Sequence, residues 1–151
     1  MMTKVKEILS NLKANVILTR ECDANVSLDD RVKFAQESET NIFVSIHLNS
    51  IGDIKMDIHK NRGTSVFYYN QNSEGLAKTL ENSVSKVLGT RKDGTKAASF
   101  AVIRPTDYIG VLLEVAYMTN PMDSVLYTRE DFPNETAKAI VDGILEFVTG
   151  Q

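Results

Sequence analysis

Strand-length apolar runs that alternate with helix-length apolar stripes constrain this chain more than any other feature. MTKVKEILSNLK, residues 2–13, spaces Val5, Ile8, Leu9 and Leu12 as a helix does, and NVILT at 15–19 follows as a short strand. Ser27 followed by Asp30 opens a second helix with the stripe Leu28, Val32 and Ala35. NIFVSIH at 41–47 and TSVFYYN at 64–70 read as strands. Ser73 caps a helix that buries Leu76, Ala77, Leu80, Val84, Val87 and Leu88 and stops at Gly89. FAVI at 100–103 and GVLLEVA at 110–116 read as two further strands, the second apolar enough to be covered on both faces. Asn120 and Pro121 start a short helix, and a last helix from about Pro133 carries Ala137, Ile140, Val141, Ile144, Leu145 and Val148. The order predicts an α/β fold: a mostly parallel sheet with helices on both faces.

At 151 residues the chain has the size of one domain, 1–151, and neither loop-like stretch, 50–63 nor 89–99, reads as a boundary. A net charge of −3 with no basic stripe argues against nucleic acid as a partner. No run approaches the roughly 18 apolar residues of a membrane span, and the N-terminus lacks the apolar centre of a signal peptide. The single Cys22 excludes an intrachain disulfide framework and leaves the redox compartment open. No glycine-rich phosphate loop follows a strand, which ranks a nucleotide-binding domain last.

Two polar residues stand against the apolar pattern. His47 ends the run FVSIH, and ligands of open α/β sheets bind at the carboxyl ends of strands. Glu114 interrupts VLLEVA, where desolvation demands a charge, a metal or a shifted pKa. On periodicity alone His47 reads first as a hydrogen-bonded structural residue and second as a ligand, whereas Glu114 stands evenly between structure and function. Together they suit metal-assisted hydrolysis, in which imidazole ligates zinc and a carboxylate takes the proton of the attacking water. His59 reads as a solvated loop residue, Cys22 as inert, and Phe67, Tyr68, Tyr69 and Tyr117 as strand packing. Arg20, Asp23 and Arg31 read as a charge network around a helix start.

The order VILTRECD (16–23), LDDR (28–31), NIFVSIHLN (41–49), GTSVFYY (63–69), ASFAVIR (98–104), VLLEVAYMTN (111–120) and AKAIVDGI (137–144) resembles the zinc-dependent N-acetylmuramoyl-L-alanine amidases. These are peptidoglycan hydrolases with a phosphorylase/hydrolase-like fold. The resemblance matches His47 to a zinc-binding histidine and Glu114 to the catalytic glutamate. Arg104 and Asn49, beside the matched positions, read as substrate-touching or structural. It also implies peptidoglycan as substrate, action outside the cell or at the cell wall, and cleavage of the amide between N-acetylmuramic acid and L-alanine.

The departures set further expectations. The family's opening strand with its Gly-His-Gly-Gly ligand segment, and the glutamate ligand in the helix after it, have no counterpart, so the chain reads as N-terminally truncated with two of three expected ligands missing. Ile109, Gly110, Ala116 and Tyr117 replace a Pro-Ala and a Gly-Phe pair, a matter of packing. Zinc is therefore expected to bind weakly or not at all to this chain alone. Unpaired sheet edges predict self-association or a complementing N-terminal segment. The alternative reading is a non-catalytic module that binds wall or a full-length amidase.

Overall fold

The computed structural model describes residues 1–52 and 57–150. Its order is α1 (Met2–Asn11), α2 (Leu28–Glu37), β1 (Ile42–Asn49), β2 (Thr64–Tyr68), α3 (Glu74–Leu88), β3 (Lys92–Ala97), β4 (Ile109–Tyr117), α4 (Pro121–Tyr127) and α5 (Phe132–Thr149). Short 3₁₀ turns occupy Gln71–Ser73 and Ala101–Ile103. The strands form one sheet in the order β1-β4-β2-β3.

The α/β class with helices on both faces holds, and the sheet is mixed. β1 pairs with β4 and β2 with β3 in parallel, while β2 and β4 run antiparallel. Side chains alternate between the faces. Val111, Leu113 and Val115 of β4 enter a core built with Leu76, Leu80 and Val84 of α3, Ile140 of α5 and Val5 of α1. Phe43 and Leu112 enter a smaller core on the other face, closed by Ala35 of α2 with Val102, Ile103 and Tyr108.

Three sequence expectations are corrected. NVILT is not a strand, since the described structure gives its backbone no ladder partner and a strand exists only as part of a ladder. FAVI is a 3₁₀ turn that buries Val102 and Ile103 under α2; a four-residue apolar run does not encode its period. The stretch expected as a loop supplies β3, a polar edge strand, KDGTKA, whose lysines are what an edge tolerates. β3 carries one residue more than β2 between Thr64 and Ser65, and Gly94 takes the positive φ of 98° there.

The caps follow the sequence with one exception. Ser27 accepts from Asp30 N–H at 3.1 Å, and Asn120 accepts from the Met122 and Asp123 amides. Gly89 ends α3 in the left-handed region at φ 68°. Ser73 makes no side-chain cap; its hydroxyl accepts from Gly110 N–H at 3.1 Å and ties the start of α3 to β4.

Candidate active site

His47 and Glu114 are register partners in the parallel β1–β4 pair, and neighbouring strands lie roughly 4.8 Å apart. Ser65 of β2 faces Glu114 from the opposite side in the antiparallel pair. The alternation puts all three on the sheet face that carries Phe43 and Leu112. At the amino ends of β1 and β4 that face is apolar, with the rings of Phe43 and Tyr108 stacked at 5.4 Å. Toward the carboxyl ends it turns polar: Ser45, His47 and Glu114 follow where the cover from α2 runs out. β4 is thus covered on both faces only along its apolar part, and Glu114 sits half-buried at the boundary.

His47 lies exposed at its strand end, and its Nε2 is 2.9 Å from Ser45 Oγ. Crowding on the sheet side of the ring, and secondarily the positive charge of Arg31, lower its pKa and favour neutral imidazole. Arg31 is fixed by donating to the carbonyl of Val26 at 3.1 Å and to Thr19 Oγ1 at 2.8 Å. The structural reading of Arg31 therefore stands, with an electrostatic effect on the imidazole added. Arg20 binds the Ala24 carbonyl at 3.1 Å and lies 3.9 Å from Asp23, also a local network.

Burial pushes the Glu114 carboxyl up to about 7. Its Oε2 is sealed from solvent without a hydrogen-bond partner, as is Ser65 Oγ. Past this point β4 carries one residue more than β1, because Asn49 aligns with Tyr117 instead of Ala116. The bulge re-aims Tyr117 onto the polar face. Its hydroxyl donates to Asp93 Oδ2 at 3.2 Å, an oxygen also held by Lys96 Nζ at 2.7 Å. Burial, then the charge of Asp93, push the Tyr117 phenol up to about 12.

Behind the site stands a hub with no forewarning in the sequence. Asp123, buried at the first turn of α4, accepts from Gly63 N–H at 2.6 Å and Tyr117 N–H at 3.0 Å. Asn120, fully buried, donates to the carbonyls of Ile58 at 2.6 Å and Asn61 at 3.2 Å while it caps α4. Asn-Pro reads as a cap; the second job of the asparagine has no linear signal. Ser65 was legible only as a small residue inside a strand.

Other candidates lie elsewhere. His59 is exposed on a turn whose amide donates to Asp57 Oδ1 at 2.9 Å, and Cys22 is exposed and free. The carbonyl of Arg104 lies 3.5 Å from Asn70, beyond the end of β2 that is farthest from Ser65. A cleft of about 450 Å³ opens there too, lined by Asn41, Asn70, Gln71 and Tyr108 among others, away from His47 and Glu114. Among the described residues no cluster of three His, Cys, Asp or Glu is placed to hold a metal ion. One imidazole and one carboxyl fall short of the three protein ligands of a catalytic zinc. No helix among the described residues is long and apolar enough to cross a membrane.

Residues 1–146 match the family described as N-acetylmuramoyl-L-alanine amidase. The chain belongs to that amidase family. It is similar, at 32% identity over 141 residues, to a probable cell wall amidase, LytH, of Staphylococcus saprophyticus; the match covers 93% of this chain and 45% of that relative. The amidase-family chain thus spans less than half of that protein's length. Its fold is similar to the catalytic domain of CwlV, an N-acetylmuramoyl-L-alanine amidase from Bacillus (Paenibacillus) polymyxa var. colistinus. That match has a TM-score of 0.87 and 35% identity, and it covers 99% of this chain and 82% of the other. The amidase AmiC2 of Nostoc punctiforme matches with a TM-score of 0.89 and 30% identity, covering 97% and 79%.

Proposed function

We propose that residues 1–151 act as one amidase-like domain that hydrolyses the amide between N-acetylmuramic acid and L-alanine in peptidoglycan. The carrying observation is the pairing of His47 with Glu114 at the polar end of one sheet face, with the carboxyl poised near neutrality. Ionised Glu114 accepts a proton from the water that attacks the lactyl carbonyl. As the carbon–nitrogen bond breaks, the same carboxyl delivers that proton to the departing L-alanine amine, leaving a new carboxyl group on the lactyl side. A group with a pKa near 7 does both at neutral pH, because neither transfer is steeply uphill.

His47 is assigned to the metal position implied by the family resemblance. Bound zinc would supply Lewis-acid polarisation of the carbonyl. The described donors do not complete a zinc site, so the proton transfers rest on Glu114 alone. That shortage also supports a second reading, a module that binds wall without cutting it. Action on the wall, outside the cytoplasm, goes with either reading. Among the described residues β1 pairs only with β4, which leaves its other edge for self-association or for an added segment, detectable as a sedimentation coefficient that rises with concentration.

The test is incubation of the purified chain with isolated cell wall, with and without zinc, scored as newly freed stem-peptide amino groups. Release by the wild type, absent in Glu114→Gln, supports hydrolysis. Wall retention in a pull-down without release selects the second reading, and neither release nor retention removes both.

A further inference from the structure

Glu114 Oε2 and Ser65 Oγ are both buried without a partner, and they belong to residues directly opposed across the β2–β4 ladder. Directly opposed residues hold their Cβ atoms about 5 Å apart on the same face. Leaving a buried polar atom unpaired is costly, and more so for a carboxylate. Ser65 has no accessible surface, so its hydroxyl cannot turn to solvent.

Three neighbouring polar groups are already occupied, and the third buried orphan, the Tyr127 hydroxyl, belongs to a ring packed against the core on the other face of the sheet. Thr64 Oγ1 donates to the Val115 carbonyl at 2.8 Å, the Tyr117 hydroxyl is spent on Asp93, and His47 Nε2 engages Ser45. A serine hydroxyl both donates and accepts, and an ionised carboxylate only accepts. The two orphans are therefore complementary: the hydroxyl can donate what the carboxylate can only accept.

The geometry points to Ser65 as the residue that positions Glu114, its hydroxyl donating to Oε2 directly or through one buried water. This rests on the proposed proton-carrying role of Glu114. With Oε2 anchored from behind, the carboxyl plane is fixed and its other oxygen is presented to the reacting water and amine. Ser65 itself touches no substrate. Its loss leaves binding intact and loosens only the aim of the proton carrier.

Ser65→Ala removes the hydroxyl without adding bulk, and Ser65→Thr keeps it. With wall fragments as substrate, kcat is expected to fall about tenfold in Ser65→Ala while KM stays within about twofold, and Ser65→Thr recovers most of the rate. An unchanged kcat in Ser65→Ala, or an equal loss in Ser65→Thr, overturns the assignment. A crystal structure of the wild-type chain with ordered waters decides it independently of turnover. The expected result is an unbroken path from Ser65 Oγ to Glu114 Oε2 with each step no longer than about 3.2 Å. Oε2 bonded to some other group, with Ser65 bonded elsewhere, overturns it. A wild type that leaves wall intact counts against the proposed reaction, and the crystallographic result then decides the role of Ser65 alone.

Discussion

His47 and Glu114, partners across the parallel β1–β4 ladder, have pKa values moved in opposite directions by the same cause. Partial loss of hydration, on the sheet side of the exposed imidazole and around the half-buried carboxyl, disfavours the charged form of each, which lowers the imidazole and raises the carboxyl. Near neutral pH the pair therefore offers an uncharged nitrogen lone pair beside a carboxyl that is part acid and part base. General acid–base hydrolysis needs both states of the carboxyl within one turnover.

Glu114→Gln keeps the shape and removes the proton carrier. Hydrolysis of wall fragments is expected to fall by about 10²–10⁴ in kcat, with KM little changed. Far-UV circular dichroism is expected to match the wild type, because glutamine has nearly the same shape and its carbonyl oxygen can still accept from the Ser65 hydroxyl.

The raised carboxyl also predicts a stability slope. Its folded pKa of about 7 lies above the unfolded reference value of 4.5, so the folded chain holds the extra proton between those values. This contribution is fully present below about pH 4.5 and is lost as pH rises through about 7. Allowing for solvent screening of a half-exposed group, the loss is on the order of 1–2 kcal/mol. Urea midpoints at pH 5 and pH 8 measure it: the decline is expected in the wild type and is expected to flatten in Glu114→Gln.

The sequence exposed most of this arrangement, and its failures have specific causes. The helices and the main strands were legible because their apolar positions repeat with a clear period, and Glu114 was legible because it breaks one. β3 was hidden because KDGTKA at a sheet edge needs no apolar side chains; its pairing with β2 is a main-chain property. Ser65 was hidden because its significance is the identity of its cross-strand neighbour, which depends on the antiparallel β2–β4 register. Gly63 is another such case. Its φ of 107° and a would-be Cβ only 2.1 Å from the Arg91 carbonyl oxygen explain a glycine that the linear sequence shows only as a loop residue.

Asp123→Ala removes one oxygen that serves two buried amides, those of Gly63 and Tyr117. Two orphaned donors are expected to cost about 2–4 kcal/mol in urea unfolding, and Asp123→Asn, which keeps one acceptor oxygen, less. Tyr117 follows the site bulge of β4, so Asp123→Ala is also expected to depress hydrolysis at temperatures where the chain remains folded. Full activity in a destabilised Asp123→Ala would separate the hub from the site.

Metal affinity tests how much of a site the described residues hold. His47 offers neutral imidazole near pH 7, helped by the charge of Arg31, and Glu114 offers a carboxyl that must lose its proton before it ligates. With one ready donor and one reluctant one, zinc is expected to bind with a Kd of roughly 10 µM or weaker, tightening as pH rises through about 7. Calorimetric titration at pH 6.5 and pH 8 measures both the constant and the protons released. His47→Ala is expected to abolish the signal and Glu114→Gln to remove its pH dependence. Nanomolar, stoichiometric binding that survives His47→Ala would place the metal on other donors and separate this histidine from the metal position.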